Sequence, residues 1–460
     1  MDATLRILEA AGAPLRTETV EVGEAVYRSG HTSGIAPASW DTIRRHRILL
    51  KAPITTPQGG GYKSLNVTLR KSLGMFANVR PVRSYAPYVA SPHPDMDLVI
   101  IRENEEDTYA GIEHRQTTEV TQTLKLITRP GSEAIVRYAF EYARAHGRRK
   151  VTCMTKDNIM KLTDGLFHRV FDEIAAEYSE IEAEHRIIDI GAALVGAKPD
   201  TFDVIVAPNL YGDIISDIAA EASGSVGLAG SANVGTDIAM FEAVHGSAPD
   251  IAGQGIANPS GLLRGAIMML DHLNLDRLAE TIENAWLATL EAGVHTGDIT
   301  GDKSTRTVST SEFADAVIER LGETPATLPA AHYTDAEVSV AVRPTPRAEK
   351  ALVGVDVFLD WDQDGRQPDT LGDALRQRDG DGLRLKLITN RGVKVYPEGL
   401  PETFWTDHWR CRFVATGDAV EAGQVVALQG RLVEAGFDVI KTENLYTFDG
   451  ERAYSLAQGE

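Results

Sequence analysis

A chain of 460 residues with 43% hydrophobic and 24% charged side chains has the composition of an ordinary globular protein with more than one domain. Its formal net charge of -20 argues against nucleic acid or an anionic membrane surface as a partner, and no apolar run approaches the roughly 18 residues that a membrane span needs. Two cysteines, Cys153 and Cys411, are too few for a disulfide framework. We therefore expect small buried thiols and a reducing cytoplasm.

Strand-length apolar runs alternate with helical patterns over the first ~320 residues, which predicts an α/β fold. Leu98–Ile101 and Val204–Val206 are predicted to be buried strands, and Ala134–Tyr142 carries apolar residues at helical spacing between them. Residues 115–129 are rich in Thr and Val, so we predict an extended segment there. Residues Glu242–Pro259 are predicted to form a loop.

The composition changes at residues 326–349, where prolines lie among Ala, Thr and charged residues, and this stretch is predicted to be a linker. Residues 350–460 then follow the order β-α-β-β-α-β of a ferredoxin-like α+β domain. The predicted elements are Val353–Trp361, Thr370–Arg378, Arg384–Tyr396, His408–Thr416, Val420–Ala435 and Phe437–Phe448. Because this domain has no catalytic constellation of residues, we predict a role in assembly or stability.

Polar side chains follow three predicted strands in the first part of the chain. They are Arg102–Asn104, Lys156–Asn158 and Asn209–Asp213. Open α/β sheets bind ligands beyond the carboxyl ends of their strands. The sequence therefore predicts a site at this edge of the sheet.

Asp213 and Asp217 are four residues apart in a helical pattern, so both carboxylates lie on one face. Hard oxygen ligands without neighbouring His or Cys suit Mg²⁺ or Mn²⁺. From spacing alone, the alternative is that Asp213 caps the helix and Asp217 is a solvated surface charge.

The remaining candidate site residues are three arginines and two residues that could transfer protons. Arg70, Arg80 and Arg102 on so acidic a chain would suit a small polycarboxylate, because a guanidinium holds a carboxylate through two hydrogen bonds. The alternative is an ordinary set of surface charges. Lys156 and Tyr109 could transfer protons, although each could equally be a surface or packing residue.

Five stretches of the chain resemble the β-decarboxylating dehydrogenases, which include isocitrate, isopropylmalate and homoisocitrate dehydrogenases. The stretches are Gly61–Pro81, Ile101–Ile112, Thr155–Asn158 with Lys161 and Asp164, Ala207–Glu221, and Phe241–Pro259. The resemblance implies an α/β fold that is not a classical Rossmann domain. This agrees with the lack of a G-x-G-x-x-G motif after an opening strand.

The resemblance also implies a domain plan. Residues 1–75 and 224–325 would form a large, cofactor-binding domain, and residues 76–223 a small domain with a subunit-joining clasp at about 107–129. Residues 350–460 resemble the C-terminal domain of a longer-chain group of prokaryotic isocitrate dehydrogenases. The family opens with a strand and a glycine-rich loop, and Met1 falls inside the expected first helix, so we expect a native chain about 20 residues longer.

The resemblance implies that the substrate is isocitrate. Ser64 and Asn66 would hydrogen-bond its γ-carboxylate, where isopropylmalate enzymes present apolar side chains. Arg70, Arg80 and Arg102 would bind the substrate carboxylates. Oxidation of homoisocitrate or 3-isopropylmalate, and a regulatory subunit without catalysis, are the alternatives.

The resemblance further implies a shared active site in a homodimer or a higher homo-oligomer. Asp213 and Asp217 would hold Mg²⁺ or Mn²⁺ together with Asp189 from a partner subunit. Lys156, also from the partner, would accept the hydroxyl proton, and Tyr109 would return a proton to carbon after carbon dioxide leaves.

The coenzyme prediction depends on the loop after Phe241. NADP enzymes of the family commonly place Lys and Tyr where this chain has Asp250 and Ile251, so the resemblance favours NAD over NADP. A carboxylate at Asp250 can accept hydrogen bonds from ribose hydroxyls and would repel a 2′-phosphate. His245 and Asn258 would contact the adenosine half. The alternative for Asp250 is a plain turn residue after Pro249.

Overall fold

A computed structural model of the chain describes residues 1–54, 64–333, 338, 340–341, 343–363, 365–400 and 402–460. The first three residues of the matched stretch Gly61–Pro81, and residues 334–337, 339 and 342 of the predicted linker, lie outside the described residues. The chain divides into two compact units. The first unit comprises Met1–Ala110 and Lys125–Arg343, and the second comprises Gly111–Leu124 and Pro344–Glu460.

The elements are numbered in chain order. The strands are β1 Ile48–Lys51, β2 Ala77–Arg83, β3 Asp97–Glu103, β4 Glu113–Arg115, β5 Thr121–Thr123, β6 Lys150–Thr155, β7 Glu182–Ile187, β8 Val204–Ala207, β9 Gly230–Val234, β10 Ala239–Ala243, β11 Val294–His295, β12 Arg306–Thr307, β13 Lys350–Asp360, β14 Leu383–Asn390, β15 Val393–Tyr396, β16 His408–Ala415, β17 Asp438–Phe448 and β18 Glu451–Arg452. The helices are α1 Asp2–Ala10, α2 Glu24–Arg28, α3 Pro37–His46, α4 Leu65–Ser72, α5 Arg129–Ala145, α6 Thr163–Ala175, α7 Ile188–Ala197, α8 Asn209–Ala222, α9 Ser260–His272, α10 Asp276–Glu291, α11 Thr310–Glu319, α12 Pro368–Arg376 and α13 Ala422–Glu434.

A mixed sheet of eight strands, counted over the described residues, organises the first unit in the order β1-β10-β9-β2-β3-β8-β6-β7. Strand β3 is apolar on both faces because helices cover both. Val99 and Ile101 share a core with residues of α5 and α6, whereas Leu98 and Ile100 share one with residues of α7 and α8. The prediction of an α/β fold with a buried strand at Leu98–Ile101 is confirmed.

Strands β3, β8, β6 and β7 run parallel, so their carboxyl ends meet at one edge of the sheet. In register, Arg102 of β3 lies beside Ala207 of β8. The polar segments that follow β3, β6 and β8 therefore share the edge that the sequence predicted.

The predicted loop at Glu242–Pro259 begins too early. Residues Ala239–Ala243 form strand β10, which pairs with β1 and β9, and Glu242 lies opposite Lys51 in the parallel pair β1–β10. A charged residue can occupy this buried strand because a lysine and an arginine neutralise it, as described below. The predicted division of the first unit into a large and a small domain stays a prediction.

The second unit holds the antiparallel sheet β15-β14-β16-β13-β17-β18 with helices α12 and α13. This order confirms the predicted ferredoxin-like plan. The predicted single strand Arg384–Tyr396 is wrong, because the chain turns back at Arg391 and Gly392, whose φ angles are 50° and 83°. Two residues with positive φ make the tight hairpin between β14 and β15.

The hairpin β4–β5 also belongs to the second unit, within the segment that the resemblance assigned to the clasp. Thr117 donates to Asp407 at 2.5 Å, and Arg366 donates to both carboxylate oxygens of Glu119 at 2.9 Å. Only part of the predicted extended segment 115–129 is strand, since α5 begins at Arg129.

Both cysteines are buried free thiols, as expected. None of the helices in the described part of the chain combines the length and apolar character needed to cross a membrane.

Candidate active site

Arg102, at the end of β3, is held by the chain that follows β8. Its Nε donates to the carbonyl oxygen of Asn209 at 3.0 Å, its Nη2 donates to Asn209 Oδ1 at 2.8 Å, and its Nη1 pairs with Asp213. Burial, together with repulsion from Arg80, lowers the pKa of Arg102 to about 9. Such a guanidinium gains strongly from any further anionic partner.

Arg80 and Arg70 lie close to Arg102. Arg80 on β2 donates to Asn78 Oδ1 at 2.6 Å and lies 3.3 Å from Asp213, while Arg70 on α4 donates to Glu242 at 2.7 Å. The three side chains have 6%, 4% and 1% of their surface exposed for Arg70, Arg80 and Arg102, so the surface-charge alternative is wrong. Burial also lowers the pKa of Arg80, which Arg70 repels.

Asp213 and Tyr109 face this cationic group. The Tyr109 hydroxyl donates to Asp213 Oδ2 at 2.5 Å, and Arg102 lies over the Tyr109 ring with its guanidinium carbon 5.0 Å from the centroid. Burial and the Asp213 charge raise the pKa of Tyr109 to about 12, so the phenol keeps its proton at neutral pH. Burial opposes ionisation of Asp213, but Arg102 and Arg80 outweigh it and lower the pKa of this carboxyl.

Asp213 and Asp217 fit a divalent cation. Helix α8 begins at Asn209, so Asp213 lies in its second turn and is not a helix cap, which removes that alternative. Burial and the neighbouring Asp213 raise the pKa of Asp217. Two neighbouring carboxylates that repel each other are suited to bind Mg²⁺ or Mn²⁺.

Ser64 and Asn66 lie on the helix that carries Arg70. Ser64 is the N-cap of α4, and its side chain accepts a hydrogen bond from Val67 N at 3.5 Å. Asn66 and Arg70 are one turn apart, so they share a face. Among the described residues, the buried atoms Asn66 Oδ1 and Arg70 Nε have no hydrogen-bond partner. An acceptor and a donor left over on one helix face are suited to a polar ligand.

Lys156 and Asp189 form a pair of their own. Lys156 Nζ donates to Asp189 Oδ1 at 2.6 Å, and the Asp189 side chain is 68% exposed. Within the described ranges, no hydrogen bond or ion pair joins this pair to the cluster of Asp213. The structure therefore brings together Tyr109, the three arginines, Asp213 and Asp217, and leaves Lys156 and Asp189 as a separate ion pair.

Two histidines that the sequence did not single out support the loop of Lys156. His168 donates to Asp157 at 2.6 Å and stacks on His185 with ring centroids 3.5 Å apart, and His185 hydrogen-bonds Thr155 at 2.8 Å. The three groups Asp157, His168 and His185 are close enough for one metal ion, but His168 and Asp157 already hydrogen-bond each other and His185 bonds Thr155.

Lys51 and Glu242 were also missed. Glu242, with 4% exposure, accepts from Lys51 and Arg70, both at 2.7 Å, and from Asn233 at 2.8 Å. Burial opposes ionisation of Glu242, but these two cations hold its pKa far below the usual range. The signal in the sequence was a single acidic residue within the otherwise apolar run Ala239–Ala243, which indicates a buried charge that needs a cationic partner.

The proposed coenzyme residues lie in and after the loop that follows β10. Asn258 is buried and donates to Asp298 at 3.0 Å, and His245 hydrogen-bonds the carbonyl oxygen of Gly246 at 2.9 Å. Asp250 is exposed within the 3₁₀ turn Pro249–Ile251, beside the partly buried Ile251. No described hydrogen bond or ion pair connects these residues with Asp213 or the arginines.

The chain is similar to known dehydrogenases over its whole length. Residues 1–317 match the family described as isocitrate/isopropylmalate dehydrogenase, and residues 350–460 match bacterial isocitrate dehydrogenase, C-terminal domain. A Rickettsia typhi protein named isocitrate dehydrogenase (NADP) is 53% identical over 466 residues, which cover 100% of this chain and 96% of the relative. The crystal structure of TT0538 protein from Thermus thermophilus matches with a TM-score of 0.93 and 46% identity, covering 100% of this chain and 93% of that one. A Saccharomyces cerevisiae protein named isocitrate dehydrogenase (NAD) subunit 2, mitochondrial, is 46% identical over 321 residues, 69% of this chain and 85% of the relative.

Replacing Glu242 by Gln should destabilise the first unit. The change removes the charge that neutralises buried Lys51 and Arg70, so we expect the free energy of unfolding to fall by about 3–5 kcal/mol. Asp237→Asn is the matched control, because Asp237 is 77% exposed and lies 3.9 Å from the exposed Arg47. That variant should lose less than about 1 kcal/mol. Urea unfolding followed by tryptophan fluorescence measures both values, and equal losses would contradict the role given to Glu242.

Proposed function

Because the chain belongs to the isocitrate/isopropylmalate dehydrogenase family, we propose that it oxidises isocitrate to 2-oxoglutarate and carbon dioxide and reduces a nicotinamide dinucleotide. The observation that carries this proposal is the buried cluster of Arg70, Arg80 and Arg102 against the acids of α8. Three desolvated guanidinium groups suit a substrate with several carboxylates.

The first turns of α4 favour isocitrate over an isopropylmalate. An isopropyl group would leave the buried Asn66 Oδ1, which no described residue satisfies, without a hydrogen-bond donor, and such a loss costs roughly 1–3 kcal/mol. Water held by the γ-carboxylate of isocitrate can supply that donor. Homoisocitrate, longer by one methylene, is the harder substrate to exclude.

Different side chains would bind the metal ion, orient the substrate and transfer protons. Asp213 and Asp217, joined by Asp189 from the partner subunit, would hold Mg²⁺ or Mn²⁺, which supplies Lewis-acid stabilisation of developing negative charge. The arginines orient the substrate carboxylates for the loss of carbon dioxide. Lys156 of the partner subunit would accept the proton of the substrate hydroxyl, and a bound nicotinamide would supply the hydride acceptor. Tyr109, protonated at neutral pH and fixed by Asp213, donates a proton to carbon at the end.

The assignment of Lys156 and Asp189 to a neighbouring site requires at least a homodimer. It is supported by the pairing of Lys156 with Asp189, which no hydrogen bond or ion pair of the described residues joins to the Asp213 cluster, and by the exposure of Asp189. A chain that binds ligands without catalysis is the remaining alternative in another class. Against it, the acids and proton-transfer groups of the proposed mechanism are all present.

Steady-state kinetics of the purified full chain with Mn²⁺ tests the substrate. We expect kcat/KM for isocitrate to exceed that for 3-isopropylmalate by about 10⁴-fold, because an apolar substrate leaves buried polar groups unpaired. Homoisocitrate serves as the closer competitor and should be poorer than isocitrate. A higher kcat/KM for either rival would overturn the substrate proposal, and no turnover of any of the three acids would favour the regulatory subunit.

For the coenzyme we propose NAD, with NADP as the second candidate. The carboxylate of Asp250 is exposed in the 3₁₀ turn Pro249–Ile251, where it would accept hydrogen bonds from ribose hydroxyls and repel a 2′-phosphate. The names of two relatives that align over the whole chain favour NADP. One is the Rickettsia typhi protein, and the other is a Thermus thermophilus protein named isocitrate dehydrogenase (NADP), which is 46% identical over 468 residues. The Saccharomyces cerevisiae relative carries NAD in its name.

Comparison of NAD with NADP in the wild type and in an Asp250→Lys, Ile251→Tyr double variant tests this choice. We expect the wild type to prefer NAD and the variant to shift the ratio of kcat/KM toward NADP by about 100-fold, because a repulsive charge becomes an attractive one. Asp237→Lys, a charge reversal at another exposed acid, should leave the ratio unchanged. A wild type that prefers NADP would contradict the proposal that Asp250 excludes the phosphate.

A further inference from the structure

We propose that Lys125 is a positioning residue that fixes the loops of both proton-transfer groups, Tyr109 and Lys156, by bridging two buried carboxylates. The inference rests on the proposed function, because that function assigns Tyr109 and Lys156 their roles. Lys125 touches neither the arginine cluster nor Asp213 through any hydrogen bond or ion pair of the described residues. It acts through Asp107 and Asp164.

Asp107 fixes the turn of Tyr109 and the start of α8. It is fully buried, and its φ of 64° is a left-handed conformation that costs a non-glycine residue energy. Its Oδ1 accepts from Thr108 N at 2.8 Å and its Oδ2 accepts from Leu210 N at 2.9 Å. One carboxylate therefore ties the 3₁₀ turn Thr108–Ala110 to the helix that carries Asp213.

Asp164 fixes the backbone of Lys156. It lies in the first turn of α6, has no exposed surface, and accepts from Lys156 N at 2.7 Å through Oδ2. This bond holds the point at which the chain leaves strand β6, so it sets the direction in which the lysine side chain extends.

Lys125 lies between these two acids. Its Nζ is 2.8 Å from Asp107 Oδ1, 3.2 Å from Asp164 Oδ1 and 4.7 Å from the ring centroid of Tyr211, and 14% of the side chain is exposed. Without the ammonium group, two buried carboxylates would face each other across a few ångströms. Repulsion should then move at least one of them, and its hydrogen bond to a backbone N–H would weaken.

Both loops should therefore loosen together when Lys125 is removed. In the proposed dimer, Tyr109 serves the site of its own chain and Lys156 serves the site of the neighbour. A single side chain thus positions the proton donor of one site and the proton acceptor of the other.

Lys150 provides a matched control within the same unit. It also lies between two carboxylates, 2.8 Å from Glu184 and 3.4 Å from Glu182, and its side chain is 20% exposed. It is the first residue of β6, at the opposite end of the strand from Lys156. Any general effect of losing a bridging lysine should appear in Lys150→Met as well.

The test compares Lys125→Met, Lys125→Arg and Lys150→Met in the full-length protein with Mn²⁺, isocitrate and the preferred coenzyme. We expect Lys125→Met to lower kcat per folded site by about 100-fold, as a misplacement of roughly 1 Å does, with KM for isocitrate changed by less than about threefold. Solvent deuterium exchange at C3 of 2-oxoglutarate, which needs Tyr109 but no hydride transfer, should fall as well. Lys125→Arg should recover part of both rates, and Lys150→Met should stay within about twofold of wild type.

Amide hydrogen exchange gives a readout that does not depend on the reaction. In Lys125→Met the amides of Leu210 and Lys156 should exchange faster together, whereas Lys150→Met should leave both unchanged. If Lys125→Met does not fold, Lys125→Gln, which can still donate to one carboxylate, takes its place.

The outcomes separate the two proposals. A wild type without isocitrate turnover would remove the proposed function, while the exchange of the two amides would still decide the role of Lys125. A Lys125 variant that melts earlier but keeps kcat and the amide exchange of wild type would overturn the inference.

Discussion

Three guanidinium groups held out of water beside the carboxylate of Asp213 are the arrangement on which the rest of the molecule depends. Burying cations is costly, and each of the three is kept charged by a specific acid or amide: Glu242 for Arg70, Asn78 and Asp213 for Arg80, and Asn209 with Asp213 for Arg102. The sheet serves this arrangement by bringing β2, β3 and the start of α8 to a common edge. A site prepared in this way favours binding of a polyanion together with a divalent cation.

The supporting polar groups extend this principle outward. Glu242 neutralises Lys51 and Arg70, while Lys125 stands between Asp107 and Asp164. In both places a buried charge of one sign is shared by two of the other sign. Such networks fix geometry, because moving one member leaves its partners buried without compensation.

The sequence predicted the edge of the sheet well and the supporting network poorly. Apolar runs followed by Arg102, Lys156 and Asn209 were enough to place three polar segments together, since parallel strands align their ends. By contrast, the roles of Glu242 and Lys125 depend on charged partners that are distant along the chain, and residue spacing alone does not reveal such contacts. The spacing of Asp213 and Asp217 does not determine where their helix begins, so it allows Asp213 to be a helix cap, whereas the helix begins at Asn209.

The residues proposed to bind the substrate and the coenzyme differ in how firmly the fold fixes their positions. The three arginines that we propose to bind the substrate are buried and hydrogen-bonded, so packing and hydrogen bonds fix their positions. Asp250 lies on an exposed turn, so packing does not fix its side chain. Its effect on coenzyme preference depends on contacts with the bound coenzyme.

We propose that Asp213 and the arginine cluster bind a divalent cation and a polycarboxylate together. Titration of Mn²⁺ by electron paramagnetic resonance, with and without isocitrate, tests this claim most directly in the wild type and in Asp213→Asn. We expect isocitrate to tighten Mn²⁺ binding to the wild type by about 10-fold or more, and we expect the substitution to abolish this coupling. Equal Mn²⁺ affinity in the presence and absence of isocitrate would contradict it.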